Sequence, residues 1–157
     1  MSANSTAGKR PRATLDTNQF VSGVLFPRSL PSRVLAAWEQ DLFVLVLSHP
    51  LYTEIATVLA RPRFREQYGL DQRTLVALLH RLANSVEMAA PAPSLPIAVR
   101  DPKDEHVLAT AIGGSVDFLV TGDADLLVLA NDAALGSLRI VAPRAFLVAL
   151  GQEIDER

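Results

Sequence analysis

The residues of this sequence best suited to chemistry are carboxylates that stand where apolar segments end or helical patterns begin. "LVTGDADLL", residues 119–127, runs as an apolar stretch, passes Thr121 and Gly122, and then sets out Asp123 and Asp125. "LDTN" closes another apolar-bearing run with Asp16 and Asn18, "DPKDEHVLATA" opens a helical pattern with Asp101 and Asp104, and Glu54 lies inside "SHPLYTEIATVLARPRF". If folding gathers Asp16, Glu54, Asp104 and Asp123 at one edge, their mutual repulsion calls for a cation, and an all-oxygen ligand set suits Mg²⁺ or Mn²⁺. Asp125 and Asn18 are then candidates to bind the metal, orient water or support its ligands. The competing reading scatters the same residues among unrelated helix caps, which aspartates commonly form. Asp101 precedes Pro102, so a structural turn competes with ligation there. Thr121 either hydrogen-bonds a carboxylate or a bound water, or satisfies its strand-to-loop turn.

Composition narrows the alternatives. With 157 residues, 49% of them hydrophobic, the chain can bury one sizeable core and needs no second. The absence of cysteine excludes thiolate metal sites and disulfides and makes the cytoplasm the expected compartment. Three dispersed histidines disfavour a zinc hydrolase, and His80, with no local companion, reads as structural or solvent-facing. No "GxxxxGK[ST]" is present, which disfavours GTPase chemistry. The apolar runs are far too short to span a membrane, and no signal core follows the basic residues near the N-terminus. A net charge of -2 argues against a broadly basic nucleic-acid coat but permits a local rim. Arg28, Arg61, Arg63, Arg65, Arg100 and Lys103 lie near loops and helix ends that could form one for phosphates.

The elements that must position these residues alternate between strand and helix. "RATLDTN" predicts a first strand ending at Asp16, with "FVSGVLFP" a loop or short helix beside it. Pro31 and Ser32 mark the start of a helix carrying Val34, Leu35 and Trp38 on one side. "LFVLVLS" reads as an inner strand covered on both faces, and Pro50 starts a helix that Pro62 ends. Asp71 caps a helix with Leu75, Leu78, Leu79 and Leu82 on its buried stripe. "APAPSLP" is a linker within the domain, "EHVLATAIGG" a helix, "SVDFLVTG" a strand, "DADLLVLANDAA" a further helix, "LRIVAP" a strand and "PRAFLVALGQEI" a closing helix. The alternation favours one α/β/α domain. Its expected limits are a flexible arm over 1–11, the domain proper over 12–151 and a tail over 152–157, with Lys9, Arg10 and Arg12 a candidate polyanion contact.

"LDTN", the Glu54-bearing segment, "DPKDEHVLATA" and "LVTGDADLL", in this order, resemble the PIN-domain ribonucleases, in particular the branch of toxin components of bacterial toxin-antitoxin pairs. The resemblance implies a three-layer α/β/α fold with a central parallel sheet of about five strands and a divalent-metal nuclease activity. It maps Asp16 onto the first acid, Glu54 onto the helical acid, and Asp104 and Asp123 onto the later pair, with Asp101, Asp125 and Asn18 in the positions of accompanying groups. It further implies hydrolysis of RNA to a 5′ phosphate and a 3′ hydroxyl, and a cognate antitoxin as partner. A homodimer is also expected, from surplus apolar helix surface. Two other functions remain open to the residues: a noncatalytic protein-interaction or RNA-binding module, and a metal-dependent phosphatase with a closed mononucleotide pocket.

Overall fold

The computed structural model describes residues 9–154. The apolar runs form five short strands: β1 (Arg12–Leu15), β2 (Val44–Leu47), β3 (Glu87–Met88), β4 (Phe118–Val120) and β5 (Arg139–Val141). They pair in parallel throughout, in the order β3-β2-β1-β4-β5. Strand order reverses at β1: the chain first builds outward through β2 and β3, then returns to the other side of β1 for β4 and β5. The register sets Leu15 beside Val120, so Asp16 and Thr121 leave the sheet side by side. This is the switch point at whose carboxyl edge open α/β sheets place their ligands.

Helices cover both faces: α1 (Thr17–Leu25), α2 (Leu30–Glu39), α3 (His49–Leu59), α4 (Pro62–Tyr68), α5 (Gln72–Asn84), α6 (Glu105–Gly113), α7 (Ala124–Leu127) and α8 (Pro143–Ala149). The result is the expected three-layer α/β/α architecture. Leu45, Val46 and Leu47 are fully buried, as an inner parallel strand requires. Helix α6 lies across β1, β2 and β4, while α8 packs on β4 and β5. Phe146 of α8 meets Phe43 and Phe118 edge-on at centroid separations of 4.9 and 5.3 Å, which locks the β4 side of the core. Among the described residues, no helix is long and apolar enough to cross a membrane.

Several local expectations shift. Helix α2 starts one residue earlier than Pro31 and Ser32 suggest, because Ser29 accepts from the Ser32 N–H at 3.2 Å. Ser48 likewise caps α3 ahead of Pro50. Pro62 ends α3 and then opens α4, its missing N–H costing nothing in a first turn. The helix expected over "DADLLVLANDAA" stops at Leu127 and resumes as a 3₁₀ turn, Ala133–Leu135. There Asp132 takes the Ala134 N–H, and the exposed Val128 has nothing to pack against. Asp71 caps α5 as read, accepting from Thr74 at 2.7 Å. The sequence reading located no strand at β3, whose Glu87 and Met88 are both exposed and give no burial signal.

Arg12 does not belong to a basic arm. It is the first residue of β1, its N–H donates to Asp117 at 2.8 Å, and its guanidinium binds Glu87 and the Gly114 carbonyl. Arg10 faces Asp41 at 3.6 Å. The rest of the expected arm, residues 1–8, and residues 155–157 of the expected tail lie outside the described residues.

The proline-rich linker is held down where α6 ends. Ala92 donates to the Ala109 carbonyl at 2.9 Å, and a Cβ on Gly113 would stand 2.0 Å from the Ala90 carbonyl oxygen and 2.7 Å from the Ala92 nitrogen. Only glycine lets backbone approach backbone this closely. Gly113→Ala is expected to lower unfolding free energy by about 2 kcal/mol through overpacking, read as an earlier midpoint in urea with little change in slope.

Candidate active site

Each acid reaches the carboxyl edge by its own local logic. Asp16 ends β1 and caps α1, with Oδ1 accepting from the Gln19 N–H at 3.0 Å. Its Oδ2 accepts from the Thr121 hydroxyl, and the same Thr121 oxygen accepts from the Asp123 N–H at 3.0 Å. Thr121 thus serves both of the roles considered for it, completing the strand-to-loop turn and tying the first acid to the fourth. Asp123 caps α7 by accepting from Asp125 N–H at 2.8 Å. The turn before α6 is built by Asp101, whose carboxylate accepts from the Lys103 N–H at 3.0 Å and whose carbonyl accepts from the Asp104 N–H at 2.9 Å. Asp104 occupies the cap position of α6 with helical backbone angles, and its side chain caps nothing. Its carboxylate is therefore free for the site.

A cavity of about 530 Å³ opens at this edge. Asp16, Glu54, Asp101, Asp104 and Asp123 line it, along with Asn18. Arg61 and Lys103 supply positive charge from the same lining. Asp125 and Thr121 are not part of that lining. Asp125 stands close by, with Arg100 4.0 Å away, while Thr121 is fully buried behind Asp16. Arg28, Arg63, Arg65 and Arg100 also lie outside the cavity, all of them exposed. His80 is exposed on α5, away from the acids.

Among the described residues, Asp101, Asp104 and Asp125 offer ligand oxygens within 4.8 Å of one another. Asp101, read as a turn residue in competition with a ligand, has the geometry for both. Asp104 belongs to this trio and to the cavity lining alike. It is only 9% exposed, and its Oδ2 is buried with no hydrogen-bond partner. An orphaned buried carboxylate oxygen is costly, and a hard cation is the group that satisfies it. The oxygen-only donors fit Mg²⁺ or Mn²⁺ and do not fit a soft metal.

Two residues that sequence reasoning passed over complete the site. Glu54 projects from α3 with one oxygen accepting from the Thr17 hydroxyl and the other 2.8 Å from His106 Nε2. Thr17 follows Asp16 directly in "LDTN", and His106 follows Asp104 by two in "DEHVL", but proximity in sequence gave no sign that both would face Glu54. Behind them, a hydrogen-bond chain joins α3 to α6. The Leu51 N–H donates to the Ser48 hydroxyl at 3.3 Å, Ser48 meets Thr110 at 2.6 Å, and Thr110 donates to the His106 carbonyl at 2.7 Å. This buried chain sets the helix bearing Glu54 against the helix headed by Asp104.

The electrostatics follow from crowding. Burial, then the charge of Asp123 and a side-chain hydrogen bond with it, then the charges of Asp101 and Asp16, raise the Asp104 carboxyl to about 7 from its ordinary 3.8. Burial also raises Asp16, opposed by the hydrogen bonds from Thr121 and Gln19. Between the ordinary and raised values of Asp104, the folded protein keeps a proton that the unfolded chain has lost, so stability falls as pH rises through that window and levels off above it. The melting temperature of chelator-treated protein is therefore expected to fall from about pH 5 to about pH 8, and Asp104→Asn to flatten the slope. Because a ligating carboxylate must be deprotonated, added Mn²⁺ should raise the melting temperature more at the upper end of that range.

Comparison with known proteins agrees with this arrangement. The chain is 25% identical over 121 residues to an uncharacterized protein of Methanocaldococcus jannaschii, covering 77% of this chain and 76% of that one. The PIN domain matches residues 12–125, which run from the first residue of β1 through Asp125 in α7. Fold, acidic cluster and family agree on a nuclease-like site, and the chain belongs to the PIN-domain family.

Proposed function

We propose that this protein is a divalent-metal-dependent endoribonuclease, with Asp16, Glu54, Asp104 and Asp123 as its catalytic carboxylates. The observation that carries the reading is the meeting of these acids around one cavity at the switch point, with the Asp104 oxygen left unsatisfied. A bound Mg²⁺ or Mn²⁺ supplies Lewis acidity toward water and positive charge against the phosphate. Asp101, Asp104 and Asp125 would hold it, with Asp123 and Asp16, the latter bonded to Thr121, bordering the adjoining cavity. Glu54, steadied by Thr17 and His106, bounds the opposite side. In the reaction a water oxygen bonds to phosphorus, the bond from phosphorus to the 3′ oxygen breaks, and that oxygen takes a proton. The products are a 5′ phosphate and a 3′ hydroxyl.

The surroundings favour RNA strand cleavage over the alternatives. Arg61, Lys103 and Asn18 stand exposed at the cavity, where they can meet the phosphates of a strand. A noncatalytic module gives no reason to crowd carboxylates against their mutual repulsion. Residues 12–151 form the nuclease unit in this reading, with 1–11 and 152–157 as appended segments, and the cysteine-free chain acts in the cytoplasm.

Asp16→Asn and Asp123→Asn keep side-chain size and remove the anionic charge. On a panel of single-stranded and structured RNAs with Mg²⁺ or Mn²⁺, each folded variant is expected to lose at least about a hundredfold in cleavage rate. Wild type should lose cleavage in chelator. Cleavage that persists in both variants and in chelator would move the active site elsewhere.

The toxin role rests on the resemblance of the acid-bearing motifs to that branch, and it calls for a cognate antitoxin that covers the acidic groove. The exposed Val76, Val128 and Val148 are apolar surface available for a homodimer. Mass measurement across concentrations is expected to find a dimer. Co-expression with the product of the adjacent coding sequence is expected to give an inactive complex. A persistent monomer rejects the first expectation, and no complex with that product rejects the second.

A further inference from the structure

Away from the carboxylates, Phe26 and Tyr68 are 47% and 48% exposed, yet they touch, with centroids 5.6 Å apart and planes at 84°. The pair is underpinned by the buried Phe64, 6.2 Å from Tyr68. Its position relative to the acidic cavity follows from two helices. Helix α1 begins at the cavity with Asn18 and ends at Phe26; α4 follows Arg61, also at the cavity, and ends with Tyr68. At 1.5 Å per residue, both run about 10–12 Å from the acidic edge before their ends meet in the ring pair. That distance is about three nucleotides at the roughly 3.4 Å rise of a stacked strand.

Arginines cluster in the segments that carry the rings. Arg28 follows Phe26 by two residues, Arg61 is at the cavity, and Arg63 and Arg65 are on α4, with Glu66 the one acid on that helix. Arg63 lies over the Phe64 ring at 4.9 Å and Arg65 donates to the Gln72 side chain at 3.0 Å. Among the described residues, none of these four arginines is in an ion pair, so their charge is available to phosphates. Half-exposed rings beside unpaired guanidinium groups match the chemistry of single-stranded nucleic acid, whose bases stack on aromatics while cations follow the backbone.

We propose that Phe26 and Tyr68 form a stacking platform for one unpaired RNA base about three nucleotides from the bond to be cut, with the arginines guiding the phosphates between. The proposal rests on the ribonuclease reading and adds to it a base contact outside the acidic cavity, one that duplex bases, already stacked on each other, do not make.

The test measures binding of a short uridine oligomer at fixed salt in chelator, using fluorescence anisotropy on wild type, Phe26→Ala, Tyr68→Ala and Tyr68→Trp, each checked for folding. Each alanine variant is expected to bind the single strand about tenfold more weakly, and Tyr68→Trp to bind as wild type. Duplex binding should change less than about twofold, since duplex contacts are mainly electrostatic. An abasic site at the stacked position should reproduce the loss in wild type and add nothing in the alanine variants. Unchanged single-strand binding in both folded alanine variants overturns the platform, as does equal loss for single strand and duplex. Either result leaves the nuclease reading standing if wild type still cleaves RNA with Mn²⁺; wild type that neither binds nor cleaves RNA overturns both. Alanine variants that keep RNA binding but lose a co-expressed antitoxin would make the rings a protein-docking patch, and the proposal falls.

Discussion

The hydroxyl of Thr121 is the point where fold and site depend on each other. It is fully buried at the end of β4, donates to Asp16 at the end of β1, and accepts from the backbone of Asp123. With that one group the two central strands finish at a common level and deliver two acids to the same place. The geometry is available because β1 and β4 are sequence-distant but adjacent in the sheet, and because Leu15 and Val120 are in register. An apolar residue at this position would leave the Asp16 oxygen buried without its donor, and a buried anion without hydrogen bonds is costly.

That cost is one part of a larger tension. Ligand oxygens of Asp101, Asp104 and Asp125 within 4.8 Å of one another repel by about 3 kcal/mol for each ionised pair at the effective dielectric of a protein surface. Burial adds to this tension and, with the nearby charge of Asp123, raises the Asp104 carboxyl, so that it holds its proton more tightly than a free carboxyl. The offset comes from the rest of the domain. Leu108 and Ala111 of α6 are buried against the sheet, the Ser48 and Thr110 hydroxyls join that helix to α3, and the linker closes over Gly113. A rigid frame holds the carboxylates together against their repulsion, an arrangement that a divalent cation would relieve.

On the ribonuclease reading, the distribution of charge around the frame governs how a phosphate backbone would approach. Anionic side chains at the floor would repel a phosphate backbone, while Arg61 and Lys103 at the same cavity attract it. Acidic floor and basic rim are compatible only if a cation neutralises the first and the rim remains free of ion pairs. Among the described residues, Arg100 is the member of the expected basic set that pairs with one of these acids, facing Asp125 at 4.0 Å.

The sequence determined the fold class and set the candidate acids just past strand ends and at helix starts, because both are written in local patterns. Apolar runs such as "LFVLVL" between helical patterns specify a parallel sheet, and "LDTN" and "VTGD" put acids just past strand ends whatever the strand order. Cap chemistry was legible at Asp71 but displaced at α2 and α3, since a proline in the first turn attracts notice away from the serine before it. What the sequence did not contain was which groups would face each other. His106 meets Glu54 across 52 positions, and Thr121 meets Asp16 across 105. The strand β3 is two exposed residues recruited by the free edge of β2, with no burial pattern of its own. The ring pair of Phe26 and Tyr68 likewise exists only because two helices that leave the acidic edge converge again. Local composition fixes what a segment is, but contacts between distant segments depend on strand order and helix packing, and those are decided only when the whole core closes.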